Sequence, residues 1–283
     1  MISVIILTKN EEKNIGKCLE YLYNQTYKDF EVIVVDANST DRTVEIAKSY
    51  GAKVIKEKKK GGFGYARNLG VKHAKGDLIV FLDADVFLID TETLKKSYES
   101  LVNYKVDGVW GKLLFPNTPL GTYLSRPYEV PLTITQNWGY RPPRTTSYLM
   151  LKKDVFDDVG YFDETFDIGC EDQEFFYRLY KYRKKLLYNP DIKIFHNIPR
   201  SIEIHEKKAY RDGIGLQKLY IKYNVGDENF SSALYHIKAL IASTYACLDC
   251  IRRMGIKGLP VFVYNYRLMM ARRRGFLDGY SLR

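Results

Sequence analysis

Gly76-Asp77-Leu78-Ile79-Val80-Phe81-Leu82-Asp83-Ala84-Asp85 is the stretch whose reading decides the fold. Residues 78–82 are an unbroken apolar run of the kind that fills a strand buried on both faces, and the run stops at two carboxylates separated by one small residue. Two ionised Asp side chains at the edge of a core repel each other and lose solvation. The pair makes chemical sense with a cation between it and an anionic ligand. Hard divalent ions such as Mg2+ or Mn2+ take oxygen ligands and share one or two carboxylates with substrate phosphates. Taken alone, so short a motif reads more often as two solvated acids near a turn. Its place at the C-terminal end of a buried strand favours a metal-diphosphate site, because open α/β sheets bind ligands there.

Upstream, residues 2–7 form an apolar, β-branched run, followed by Thr8-Lys9-Asn10-Glu11-Glu12 and a helical pattern with Ile15, Leu19 and Leu22 on one face. A second unit repeats the plan: residues 30–35, then Asp36-Ala37-Asn38-Ser39-Thr40-Asp41, then a helix through Val44, Ile46 and Ala47. Ser39 or Thr40 is expected to cap that helix, with Asp41 matching its dipole. A short strand at 53–55 leads into a Lys- and Gly-rich loop and a helix carrying Ala66-Arg67-Asn68-Leu69-Gly70. Arg67 is placed to reach a diphosphate by charge-assisted bonds, whereas the lysines read equally well as a solvated run. Alternating strands and helices predict a doubly wound α/β sheet.

Downstream come a helix near 94–102 and a strand over 108–115. The proline-rich stretch 116–146 has no clear period and reads as a long loop region, assigned to an acceptor, with Trp138 either a stacking platform or buried packing. A strand restarts at 146–153, followed by Gly160-Tyr161-Phe162-Asp163-Glu164. Gly169-Cys170-Glu171-Asp172-Gln173-Glu174 then opens a helix, and by spacing alone its acids are an ordinary dipole match. Residues 185–196 read as two short strands joined by a turn, ending in His196, and a lone histidine is more often structural than a ligand.

The order Thr8-Lys9-Asn10-Glu11, Asp36 to Asp41, Ala66 to Gly70, Gly76-Asp77 and Phe81-Leu82-Asp83-Ala84-Asp85 resembles the family 2 glycosyltransferases, over roughly the first two hundred residues. The resemblance implies a GT-A fold: a Rossmann-like, mostly parallel central sheet, here with a C-terminal helical extension. It implies that Thr8, Asn10, Glu11 and Asp36 hold the nucleotide. Arg67, Asp83 and Ala84 join them at the nucleotide sugar, and Asp83 and Asp85 hold a divalent metal ion, Mn2+ or Mg2+, with His196 as candidate third ligand. By the same resemblance Asp172 is the catalytic base and Glu171 its acidic neighbour. The family often has two consecutive acids and a glycine after the second strand, whereas Asp36 is followed here by Ala37 and Asn38. A positioned carboxylate can take the proton of an acceptor hydroxyl while the anomeric carbon is attacked opposite the nucleotide, which inverts that centre.

The bulk numbers agree with one large α/β domain and a helical appendage, divided at 1–205 and 206–283: 283 residues, 46% hydrophobic, with four cysteines. The scattered cysteines, and an N-terminus that reads as a strand and not as a signal peptide, point to a cytoplasmic setting with free thiols, Cys247 and Cys250 among them. A net charge of +10 implies an anionic partner. From residue 206 the pattern is helical, with an apolar segment at 233–251 and clustered arginines at 272–274. That combination fits peripheral attachment at the inner face of the cell membrane, and packing on protein or across a homodimer is the alternative. The expected partners are a nucleoside diphosphate sugar, read as a UDP-sugar over a GDP-sugar, and a lipid-linked saccharide or polyprenyl phosphate. Two rivals make different demands. A sugar-nucleotide nucleotidyltransferase calls for a Gly-rich basic loop after the first strand, which Thr8-Lys9-Asn10-Glu11 is not. A basic binding protein predicts salt-dependent nucleic-acid binding, and the chain carries no nucleic-acid module signature.

Overall fold

The computed structural model of the protein describes residues 1–118, 121, 124, 132–135, 145–198, 201–224, 252 and 261–278. Trp138, the apolar segment 233–251 and the Cys247/Cys250 pair lie outside the described residues. The chain divides into two compact units, one of Met1–Leu114, Pro127–Asp167 and Glu171–Asn197, the other of Phe115–Arg126, Ile168–Cys170 and Ile198–Arg283.

The first unit is built on a sheet. In chain order its strands are β1 (Ile2–Thr8), β2 (Phe30–Asp36), β3 (Lys53–Lys56), β4 (Leu78–Asp83), β5 (Val86–Phe87), β6 (Gly108–Leu114), β7 (Thr133–Thr135), β8 (Tyr148–Lys152) and β9 (Leu186–His196). The spatial order is β3-β2-β1-β4-β8-β6-β9-β5, with β7 also on β9. The first four strands are mutually parallel, and antiparallel pairing enters beyond them, where β8 meets β4 and β6. Strands β1 and β4 sit inside the sheet, which is why their apolar runs are continuous: Ile2, Val4, Ile5, Ile6, Ile79 and Val80 are fully buried.

Helices cover the sheet: α1 (Ile15–Tyr23), α2 (Thr43–Ser49), α3 (Gly62–His73), α4 (Thr93–Asn103), α5 (Val155–Val159) and α6 (Glu171–Lys181). On α1 the buried residues Ile15, Cys18, Leu19 and Leu22 keep the i, i+3, i+4, i+7 spacing of one face. Helix α3 lies close on β1 because residue 70 is glycine; a Cβ there would stand 2.4 Å from Ile5 Cγ2.

Two expectations need correction. Residues 186–196 are one strand, not two. β9 follows β6 in parallel from Leu186 to Asn189, and its register then jumps so that Lys112 faces Lys193. Pro190-Asp191-Ile192 is therefore a bulge inside a strand, the place where a residue without an N–H does least damage to a ladder. The second correction is within 116–146, where residues 133–135 form β7, antiparallel to β9.

The second unit holds α7 (Ile202–Tyr223) and α8 (Val261–Asp278). They cross through glycines: a Cβ on Gly275 would stand 1.8 Å from the Tyr210 carbonyl oxygen, and one on Gly213 2.0 Å from that of Arg272. Arg267 Nε and Nη2 donate to the Glu206 carboxylate at 2.7 and 2.6 Å, and the Tyr210 hydroxyl donates to Asp278 at 2.8 Å. Gly275→Ala forces the helices apart and is expected to destabilise this unit by about 1–3 kcal/mol. Denaturant unfolding followed by helical circular dichroism measures it, and a midpoint equal to wild type would contradict the close crossing.

Candidate active site

The C-terminal edge of β2-β1-β4 gathers the acids read from the sequence. Register places Thr8 beside Asp36 and Leu7 beside Asp83, so Asp36 and Asp83 flank β1 at one edge. Asp36 is fully buried and its carboxylate is satisfied locally: Thr8 Oγ1 donates to Oδ1 at 3.1 Å, Ser39 Oγ to Oδ1 at 2.5 Å and Ser39 N to Oδ2 at 3.0 Å. Ser39 thus serves Asp36 and is not the cap of α2. The N-cap position is Arg42, which makes no side-chain cap bond, and Asp41 just before it accepts the Thr43 N–H on Oδ1 at 3.0 Å.

The loop after β1 is stitched to the loop after β2. Asn10 N donates to Ser39 Oγ at 2.8 Å, Asn10 Oδ1 accepts Thr40 N at 2.8 Å, and Glu11 N donates to Thr43 Oγ1 at 2.7 Å. Asn10 and Asn38 adopt left-handed backbone, φ 56° and 57°, which Asn tolerates better than most residues. The two loops therefore form one rigid wall. Glu57, which sequence reasoning did not single out, is buried behind it, with its N–H on the Asp36 carbonyl at 3.0 Å. Burial pushes its carboxyl above the usual range; Lys9 opposes that shift and Asp36 adds to it.

Asp83 ends β4, Ala84 is buried beneath the turn, and Asp85 precedes β5. The two residues of β5 pair with the end of β9, Val86 with His196 and Phe87 with Phe195, and Asn197 N donates to the Asp85 carbonyl at 2.8 Å. This short ladder carries His196 to the acids: its Nε2 stands 3.4 Å from Asp85 Oδ2. One ligand atom each from Asp83, Asp85 and His196 fall within 4.8 Å of one another. Two carboxylate oxygens and an imidazole nitrogen suit Mn2+ or a similar divalent ion, with the remaining positions left for water and phosphate oxygens. The surrounding charge fits the same group. Burial raises the Glu11 carboxyl, against the Asn14 amide bond that lowers it, and the negative charges of Asp85, Asp83 and Asp41 add to the rise. The Asn14 amide donates to Glu11 at 2.8 Å and accepts from Asn197 Nδ2 at 3.0 Å, which ties the loop after β1 to the end of β9. The Cys18 thiol is pushed up by burial first and then by Asp85, Asp83 and Glu11.

Helix α3 connects this edge to the acids of α6. Asn68 clamps Phe162, Nδ2 donating to the Phe162 carbonyl and Oδ1 accepting its N–H, both at 2.9 Å. Phe162 stacks on Phe175 of α6 with ring centroids 4.3 Å apart. Arg67 was expected to reach a diphosphate. In the structure it is 4% exposed, its Nη1 donates to Glu171 Oε1 at 2.6 Å, and its guanidinium lies over the Phe63 and Phe162 rings. Glu174 is fully buried and held by Arg178, whose Nη1 and Nη2 also bond the carbonyls of Val159, Gly160 and Tyr161. Asp172 is half-buried, with Oδ1 accepting the Gln173 N–H at 2.7 Å. Arg67 and Asn68 stand at consecutive positions of α3 and reach two different partners, Glu171 and Phe162.

A Rossmann-like parallel half-sheet that continues into antiparallel strands, with an Asp-Ala-Asp at its edge, defines the GT-A glycosyltransferase fold. The model of "Glycosyl transferase family 2" matches residues 3–163, and the chain belongs to that family. A mannosyltransferase from Pyrobaculum calidifontis, PcManGT, in complex with GDP-Man and Mn2+, superposes with a TM-score of 0.60 at 20% identity, over 93% of this chain and 73% of that one. Residues 1–349 of Staphylococcus aureus TarS in complex with UDP give 0.60 at 22% identity, over 100% and 92%. In sequence, a dolichyl N-acetyl-alpha-D-glucosaminyl phosphate 3-beta-D-2,3-diacetamido-2,3-dideoxy-beta-D-glucuronosyltransferase of Methanococcus voltae is 30% identical over 211 residues, 68% of this chain and 65% of that protein. The chain spans less than two thirds of the length of the first curated relatives it matches. Among the described residues, no helix is long and apolar enough to cross a membrane.

Proposed function

We propose that the protein is an inverting glycosyltransferase that moves a sugar from a UDP-sugar to a lipid-linked saccharide or polyprenyl phosphate at the inner face of the cell membrane. The observation that carries the reading is the meeting of Asp83, Asp85 and His196 at the sheet edge that also buries Asp36. In this reading Thr8, Asn10, Glu11 and Asp36 form the wall against the nucleoside, and Asp83, Asp85 and His196 hold Mn2+ or Mg2+. A cation there supplies charge neutralisation for the departing diphosphate. Asp172 takes the acceptor proton, and Arg67 and Glu171 fix the start of its helix. The Mn2+ and UDP complexes of the two similar folds support a metal-dependent nucleotide site, and the dolichyl relative supports the acceptor class.

Calorimetric titration with UDP and GDP tests the reading, first with Mn2+ and then with EDTA. UDP is expected to bind the wild type in Mn2+ and to weaken by at least about a hundredfold on chelation or in Asp85→Ala. Tighter GDP binding would reassign the donor, and no binding of either nucleotide under any condition would remove the donor site altogether.

A further inference from the structure

Helices α7 and α8 enclose an open groove of about 990 Å3 that the chemistry above does not use. Its apolar lining comes from Ile204, Met270 and Ala271, and Ile204 stays 50% exposed. Around this lining stand Lys207, Arg211 and Arg274. The carboxylate of the lining, Glu206, is taken up by Arg267 through two hydrogen bonds, so that pair is neutral. Lys207, Arg211 and Arg274 make no ion pair among the described residues, and Tyr210 and Tyr266 complete the walls.

The two halves of this lining call for one ligand with two halves. Three uncompensated cations call for phosphate oxygens. The apolar lining calls for a hydrocarbon segment, and Tyr suits the boundary between the two. A phosphorylated polyol or saccharide chain would instead need hydroxyl and amide side chains to replace its water. Among the described lining residues there is no Ser, Thr, Asn or Gln.

The geometry points to a lipid site: the groove holds the phosphate head and first chain segment of an anionic lipid, as a polyprenyl phosphate presents them. The inference rests on the lipid-linked acceptor reading and gives the lipid a place on the second unit.

The test is co-sedimentation of the full chain with phosphatidylcholine vesicles, with and without a minor fraction of polyprenyl phosphate. Binding is expected only to the second kind. Lys207→Glu/Arg211→Glu/Arg274→Glu is expected to weaken it by about a hundredfold. Ala271→Trp, which fills the groove and leaves its charges alone, is expected to weaken it by at least about tenfold. The same charge change placed on exposed lysines of the first unit, Lys28→Glu/Lys48→Glu/Lys105→Glu, is expected to cost less than about threefold. Equal losses in the two triple variants would reduce the effect to general surface electrostatics and overturn the site. So would unchanged binding by Ala271→Trp, or displacement by inorganic polyphosphate at equal phosphate concentration. Circular dichroism and the UDP titration run on each variant keep the two readings apart. Lipid binding without nucleotide binding would sink the donor assignment and leave the groove, and nucleotide binding without lipid binding would do the reverse.

Discussion

Asp172→Asn is expected to lower kcat for transfer to a hydroxyl acceptor by about a hundred- to ten-thousandfold, with donor affinity unchanged within about twofold. The choice of Asp172 among the acids of α6 follows from their partners. Glu171 is buried against Arg67, and Glu174 is fully buried against Arg178, so neither carboxylate is placed to meet an incoming hydroxyl. Asp172 is half-buried at the first turn. The substitution keeps a side-chain oxygen for the Gln173 N–H and removes the negative charge and with it the capacity to accept a proton. Steady-state rates with two acceptors, a lipid-linked saccharide and a polyprenyl phosphate, give the result its second use. A phosphate is already a nucleophile and needs no base, so a loss below about tenfold with the phosphate alone would identify it as the acceptor. Wild-type rates with both acceptors would remove Asp172 from the chemistry.

The fold was legible where burial leaves a period in the sequence. Residues 78–82 announce a strand covered on both faces, and Ile15, Leu19 and Leu22 announce one face of α1; both stand in the structure as read. Legibility failed where one residue type has two uses. Asn189-Pro190-Asp191 has turn composition, yet it is a bulge held by Asn189, whose Nδ2 donates to Ser100 Oγ at 3.0 Å and whose Oδ1 accepts the Asp191 N–H. Nothing local to those residues says that β6 lies alongside. The two-residue β5 was too short to carry any period, and it is the piece that aligns His196 with Asp85. His196 was nameable by type and position, but the route that brings it to the acids was not. Arg67 shows a different limit. Its charge was read against the nearest expected anion, a diphosphate, whereas its partner is a carboxylate 104 residues away.

Arg67 and Glu171 are 4% and 5% exposed, and removing either charge strands the other in the core. Arg67→Met alone, or Glu171→Leu alone, is therefore expected to destabilise the first unit by about 3–5 kcal/mol in denaturant unfolding. The double variant Arg67→Met/Glu171→Leu is expected to regain most of that, because an apolar pair of similar volume removes both desolvation costs. Stability and activity should then part company. Glu171 is the residue before Asp172 and opens the same helix, and Arg67 ties it to α3 beside the Asn68–Phe162 clamp. If the pair sets the angle of that helix start, the stable double variant loses kcat with donor KM unchanged. If instead the guanidinium's remaining N–H groups reach the donor diphosphate, donor KM rises and kcat for saturating donor survives. A stable double variant with wild-type kcat and KM would leave the pair no part in catalysis beyond holding α3 to α6. The kcat loss is the expected result, because the guanidinium is buried between the Phe63 and Phe162 rings with a carboxylate on one edge.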